Sequence, residues 1–217
     1  NAALMSRLKV TPANIPATTV ARLASILATI CEGRMSDLLV KSNATFSRDR
    51  TLRLTLTREW GPGPLVCYIG HNPSAAAEDK EDPTSHLFRH FAQANGFGRY
   101  VTVNMYPRIS ADPKECRKWA GWESNGPDWY ARDDILNNVD VIAREAKAAD
   151  RVVACWGNLM QDDMLIEHVI EAIQSGVEPY PDIYCLGTTN NGAPKHPLAR
   201  GVHRLPRDQK YILWRAA

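Results

Sequence analysis

The sequence predicts a three-layer α/β/α domain with a mostly parallel central sheet. Short apolar runs, Leu65-Val66-Cys67-Tyr68-Ile69 and Arg151 to Cys155, have the length and continuity of strands buried on both faces. Between such runs lie stretches with apolar residues at helical spacing. Strand alternating with helix implies parallel neighbours covered by helices on each side, with about four central strands.

The elements follow in order. Residues 1–14 are polar and irregular, and Asn1-Ala2 resembles a cloning remnant. Val20, Leu23, Ile26, Leu27 and Ile30 predict an amphipathic helix over 17–31, closed by Glu32-Gly33-Arg34. Residues 1–34 are read as an appendage and 35–217, opened by Met35, as the domain. Leu52, Leu54 and Leu56 alternate with Arg53, Thr55 and Thr57, the pattern of a half-exposed strand. Gly61-Pro62-Gly63-Pro64 is a turn. After the strand 65–69 comes a polar loop. A helix is then expected around 84–95, capped by Asp82 or Thr84. Tyr100 to Val103 is a strand, and Met105 to Trp129 a long loop rich in Pro, Gly and Trp, with the length of a lid. Ile135, Val139, Ile142 and Ala146 predict a helix over 131–148. A strand over 151–155, a helix over 158–174 and a strand over 183–186 complete the series.

The net charge of +2 does not suit a sequence-blind DNA clamp, so any nucleic-acid contact should be a local basic patch. No apolar run approaches the roughly 20 residues of a membrane span, and no signal-peptide pattern opens the chain. Cys31, Cys67, Cys116, Cys155 and Cys185 are widely spaced without a C-x-x-C pair, which suits reduced core thiols in a cytoplasmic protein. His86 and His90 share a helix face but have no further ligand pattern beside them, so no metal and no cofactor is expected.

In parallel α/β sheets the site lies outside the carboxyl ends of the strands. That rule selects Gly70–Ser74, Asn104–Pro107, Trp156-Gly157 and Gly187–Arg200. Fixed backbone with short polar side chains is what a pre-organised pocket needs.

These segments, in this order, resemble the uracil-DNA glycosylase superfamily. Its first motif is matched by Gly70-His71-Asn72-Pro73-Ser74, and its middle strand ending in Asn by Val101-Thr102-Val103-Asn104. The strand ending in Trp-Gly is matched by Val152 to Gly157, and the last motif by His196-Pro197. A closer resemblance, from about Thr45 to Leu205, is to the family of domain of unknown function 1643. Phe46-Ser47, Arg58-Glu59-Trp60, Asn72-Pro73-Ser74, Asp82-Pro83-Thr84, Asn104, Trp156-Gly157 and His196-Pro197-Leu198 carry it. The best-known glycosylase branch has Asp where Asn72 stands, and His-Pro-Ser-Pro where this chain has His196-Pro197-Leu198-Ala199-Arg200.

The resemblance implies hydrolysis of the N-glycosidic bond of uracil or another modified base in DNA, with the base flipped out of the helix. His196 would donate to the departing base anion, and Asn72 would orient water or stabilise the sugar cation. Gly70, His71, Pro73, Ser74, Asn104, Trp156, Gly157 and Pro197 would line the base or substrate pocket. Asp82 is the nearest carboxylate for auxiliary acid–base work, although Asp before an amphipathic stretch is equally a helix cap. Arg108, Lys195 and Arg200 are the expected phosphate contacts, within a basic rim that adds Lys114, Arg117, Lys118, Arg204 and Arg207. Trp119, Trp122 and Trp129 are candidates for packing the loop or stacking on bases. Two other readings stay open: a non-catalytic module holding a flipped base or single-stranded DNA, and an enzyme acting on a free nucleoside or nucleotide.

Overall fold

The computed structural model describes residues 40–74, 82–121 and 132–217. All but Val40 belong to one unit, Lys41–Ala217. The appendage 1–34 with its helix, Cys31, Trp122 and Trp129 lie outside the described residues.

The unit is built from β1 Lys41–Phe46, β2 Arg53–Glu59, β3 Leu65–Gly70, α1 Pro83–Ala94, β4 Arg99–Asn104, α2 Pro113–Trp119, α3 Asp133–Ala148, β5 Arg151–Ala154, α4 Asp163–Ile173, β6 Ile183–Cys185 and β7 Ile212–Arg215. A short 3-10 turn spans Gly201–His203. The strands form one sheet in the order β1-β2-β4-β3-β5-β6-β7.

The expected mostly parallel sheet is corrected to a mixed one. Three pairs are parallel, β3 with β4, β3 with β5 and β5 with β6. Three are antiparallel, β1 with β2, β2 with β4 and β6 with β7. The parallel pairs occupy the centre, where both sheet faces are covered and strands are nearly all buried. The antiparallel pairs lie outside them, and the two edge strands are largely exposed, which antiparallel pairing tolerates.

Strand alternation divides the core in two. Val66, Tyr68, Tyr100 and Val153 face Phe88, Phe91 and Ala92 of α1. Cys67, Ile69, Val101, Val103, Val152 and Ala154 face Ile135, Val139 and Ile142 of α3, and Leu165, Val169 and Ile173 of α4. Helices therefore cover both faces of the sheet. Cys67 and Cys155 are fully buried, and desolvation holds both thiols far above their ordinary pKa, so they behave as small apolar side chains.

The loop over 105–129 is also corrected. Its described part contains α2, with Pro113 in the first turn and the Asp112 carboxylate accepting from Lys114 N at 2.9 Å. Asp-Pro followed by a short helix is a start signal, but seven residues are too few for periodicity to register.

The connections fix where a site can form. α1 follows β3 on one face, whereas α4 follows β5 on the other. β3 and β5 are neighbours, so their carboxyl ends diverge into a crevice, the switch point of the sheet. No helix among the described residues is long and apolar enough to cross a membrane.

Candidate functional site

The loops at the switch point hold His71 after β3 and Gly157 after β5, with the 196–197 segment against them. The parallel ladder continues beyond the strands. Met105 N donates to Gly70 O and Tyr106 N to His71 O, both at 2.9 Å. Backbone hydrogen bonding therefore fixes the start of the 70–74 segment before any side chain contributes.

Gly70 is paired with Asn104 across the ladder. A Cβ at position 70 would lie 2.6 Å from Asn104 Oδ1, inside van der Waals contact. Asn104 is buried, and its backbone carbonyl accepts from Asn138 Nδ2 at 2.8 Å. Gly70→Ala is expected to displace the Asn104 side chain and cost about 1–3 kcal/mol, as overpacking does. Thermal unfolding measures this, and an unchanged midpoint would show that Asn104 has room to move.

Gly157 is required for two reasons. Its φ of +75° lies in the left-handed region, and a Cβ there would meet His196 Cβ at 3.2 Å. Its N–H donates to Pro194 O at 2.9 Å, which ties the 194–197 segment to the end of β5. Pro197 is buried beside it.

His196 is half-buried, and its Nδ1 accepts from Leu198 N at 3.1 Å. Burial pushes its pKa down to about 4, the neighbouring His71 adds to the depression, and Asp82 opposes it. The imidazole is thus neutral at pH 7. With Nδ1 accepting, its proton resides on Nε2, which is left as a donor.

Asn72 is fully engaged as a donor. Its Nδ2 donates to Pro73 O at 3.1 Å and Ser110 O at 2.9 Å. Carbonyls only accept, so the amide orientation is fixed, and Oδ1 faces His71 Nδ1 at 2.9 Å. His71 must then carry its proton on Nδ1, and its Nε2 is an acceptor in the neutral ring. That nitrogen is buried without a hydrogen-bond partner of adequate geometry. Burial lowers the His71 pKa, the Asn72 bond raises it, Arg117 lowers it, and the Leu159 backbone raises it. Tyr106 packs edge-on to the His71 ring, with centroids 5.3 Å apart. The Asn72 bond thus favours the His71 proton on Nδ1, the opposite tautomer to that of His196.

Asp82 is tied down. One oxygen accepts from Ser85 N at 2.6 Å, capping α1, and the other is bonded to the Ser74 hydroxyl. Burial raises its pKa, but those bonds and the Arg53 charge outweigh it, so the net shift is downward and the carboxylate stays ionised.

Among the other expected residues, Trp156 packs in the α3–α4 core, edge-on to Trp214 at 5.4 Å, and supplies only the strand end to this site. Pro73 is buried, and its carbonyl also accepts from Ser110 N at 3.1 Å. Lys195 is half-buried, and its N–H donates to Gly187 O at 2.8 Å. Arg200 is exposed and lines a cavity of about 440 Å³ with Pro197, Leu198, Arg204 and Arg207. Arg108 and Lys118 line a different cavity. The expected single basic rim is thus split: Arg108 and Lys118 line one cavity, Arg200, Arg204 and Arg207 another, and Lys114, Arg117 and Lys195 line neither.

Sequence reasoning missed Ser110 and Asn138, and selected Tyr106 only as part of the 104–107 segment. Asn138 is fully buried, and its Nδ2 holds the carbonyls of Asn104 and Met105 at 2.8 and 3.4 Å. A polar Asn on the apolar face of the predicted α3 helix was the available signal for it.

A family model described as "Protein of unknown function (DUF1643)" matches residues 53–198. No curated protein and no solved structure matches the chain.

Proposed function

We propose, for a chain that belongs to the DUF1643 family of proteins of unknown function, that it is a glycosylase-like hydrolase of a modified base in DNA. The observation that supports this reading is the neutral His196, with its Nε2 proton available at the switch-point crevice. When an N-glycosidic bond breaks, its electron pair leaves with the base. A neutral donor strengthens its hydrogen bond as that negative charge grows, so it stabilises the transition state more than the ground state. Water then adds to the sugar carbon, and the proton it loses ends on the departed base anion, leaving the free base and an abasic sugar.

Asn72 acts through His71 in this reading. Its amide cannot remove a proton, and both of its N–H groups are spent on carbonyls. Its contribution is to hold His71 with Nε2 unprotonated, beside His196. Asn104 offers a donor and an acceptor to a base edge. The kinship to uracil-DNA glycosylases belongs to this proposal and rests on the four motif segments quoted above.

A binding module without turnover is the second reading. It is favoured by Asp82, whose two oxygens are engaged by Ser74 and Ser85, so that carboxylate is not free to serve as a base. One experiment separates the two. The full chain is incubated with oligonucleotides carrying uracil, hypoxanthine and other modified bases, and abasic sites are revealed by alkaline strand cleavage. Cleavage of one member supports hydrolysis. Tight binding of a member without cleavage supports the module, and neither result discards both.

A further inference from the structure

Beyond the imidazole pair lies a cavity of about 510 Å³, walled by Arg108, Ser110, Glu115, Lys118, Trp119 and Arg132 among others. Among the described residues, three cations and one carboxylate line it. Arg132, the N-cap residue of α3, stacks its guanidinium 3.9 Å above the Trp119 ring. Its Nε is buried without a hydrogen-bond partner. Neither Arg108 nor Arg132 makes an ion pair among the described residues. A guanidinium held over an aromatic ring by cation–π attraction spends no N–H donor on that contact and keeps its donors for a phosphate. Held this way with no ion pair among the described residues, it has lost rotamer freedom before any ligand arrives, which lowers the cost of binding one.

The cavity adjoins the imidazole site. Ser110 forms part of its wall, and the carbonyl of that residue accepts from Asn72 Nδ2 at 2.9 Å. Asp133 and Asp134 occupy the first turn of α3 but do not line the cavity, and among the described residues Glu115 is the carboxylate that does.

We propose that this cavity binds the phosphate of the nucleotide whose base lies against His196, with Arg108 and Arg132 as its principal ligands and Lys118 adding charge. The inference rests on the base-site reading given above. The recognised chemistry is a phosphate ester, which is a diester in single-stranded DNA and a monoester in a free nucleotide.

The test compares the intact wild-type chain with Arg108→Gln, Arg132→Gln and a control, Arg144→Gln. Arg144 lies on α3 outside the cavity and pairs with Glu145 at the surface. One probe is a labelled single-stranded oligonucleotide containing deoxyuridine, with hydroxyl groups at both ends. The other is deoxyuridine monophosphate, with deoxyuridine as its phosphate-free reference. Each cavity variant should weaken binding of the responsive probe about tenfold, and for the oligonucleotide flatten the log–log salt slope by about 0.7. The control should match wild type, and thermal unfolding should show all four chains folded. A response confined to the oligonucleotide assigns the diester, and one confined to the monophosphate over deoxyuridine assigns the monoester. Wild type binding neither probe, or both cavity variants binding like wild type with the same slope, overturns the proposal. The base-site reading fails separately. A phosphate response in the cavity variants, with no hydrolysis of any modified base, would keep the anion subsite and remove the glycosylase reading.

Discussion

His196→Ala is expected to lower single-turnover cleavage of the selected modified oligonucleotide about 10²–10³-fold, with little loss of DNA affinity. That is the usual cost of removing one donor aimed at developing negative charge. The split between rate and affinity follows from timing. In the ground state the base is neutral and the hydrogen bond is ordinary, whereas in the transition state the acceptor carries charge. His196→Gln places a neutral amide donor in the same region and should recover part of the rate. A genuine substrate cleaved by His196→Ala at the wild-type rate would remove His196 from the mechanism.

The pH dependence carries the same argument. The pKa of His196 is depressed to about 4, so the wild-type rate should show no inflection near the ordinary histidine value of about 6.5 arising from this residue. As pH falls toward about 4, a proton on Nδ1 would confront the Leu198 N–H that this nitrogen now accepts from. The folded state binds this proton less readily than the unfolded chain. Stability is therefore full above the unfolded pKa and declines as pH falls toward the folded one. Equilibrium unfolding across that range measures the decline, and His196→Gln should lose the part due to this ring while keeping the part due to His71, whose pKa burial also lowers.

The parts of this fold legible in the sequence are those whose physics is local. β3 and β5 are short apolar runs because both of their faces are covered. α1, α3 and α4 show helical periodicity because each has one buried face. β1 and β7 escaped notice because edge strands are mostly solvated and defined by a pairing partner. Lys41 to Phe46 is a strand through its ladder with β2, and Ile212 to Arg215 through its ladder with β6. Those edges, together with β2 antiparallel to β4, make the sheet mixed.

The site divides in the same way. The positions of Gly70, His71, Asn104 and Gly157 follow from strand ends, so the rule for parallel sheets selected them without knowledge of any side-chain contact. The work done by Asn72 was not legible, because the group that fixes it, the Ser110 carbonyl, lies 38 residues away in a loop. Arg132 was missed for a related reason. Its significance lies in stacking on Trp119, a contact that no spacing announces.

Asn72→Asp is expected to destabilise the protein by about 2–4 kcal/mol and slow any turnover. The sequence alone favours the opposite result, since the substitution restores the carboxylate found in the better-known glycosylase branch. The geometry decides against it. Asn72 Nδ2 faces two carbonyl oxygens, and an ionised carboxylate would set oxygen against oxygen at both. The Ser110 carbonyl loses its Asn72 donor, Pro73 O keeps only the Ser110 N–H, and the added charge worsens both contacts. For a domain of this size the midpoint of thermal unfolding should fall roughly 5–15 °C. Asn72→Ala, which removes the donors without adding charge, should be less destabilising. The carbonyls favour the neutral form of the new carboxyl, which can still donate to one of them, so its folded pKa is raised. Part of the stability loss is then relieved as pH falls below that pKa and returns as pH rises through it. His71 supplies a second readout, because a carboxylate beside Nδ1 favours the imidazolium and removes the Nε2 acceptor. Nitrogen-detected magnetic resonance of the histidine rings would report that change as a raised pKa for His71. An Asn72→Asp chain with wild-type stability and a faster reaction would show that water, and not the tautomer of His71, is what this position controls.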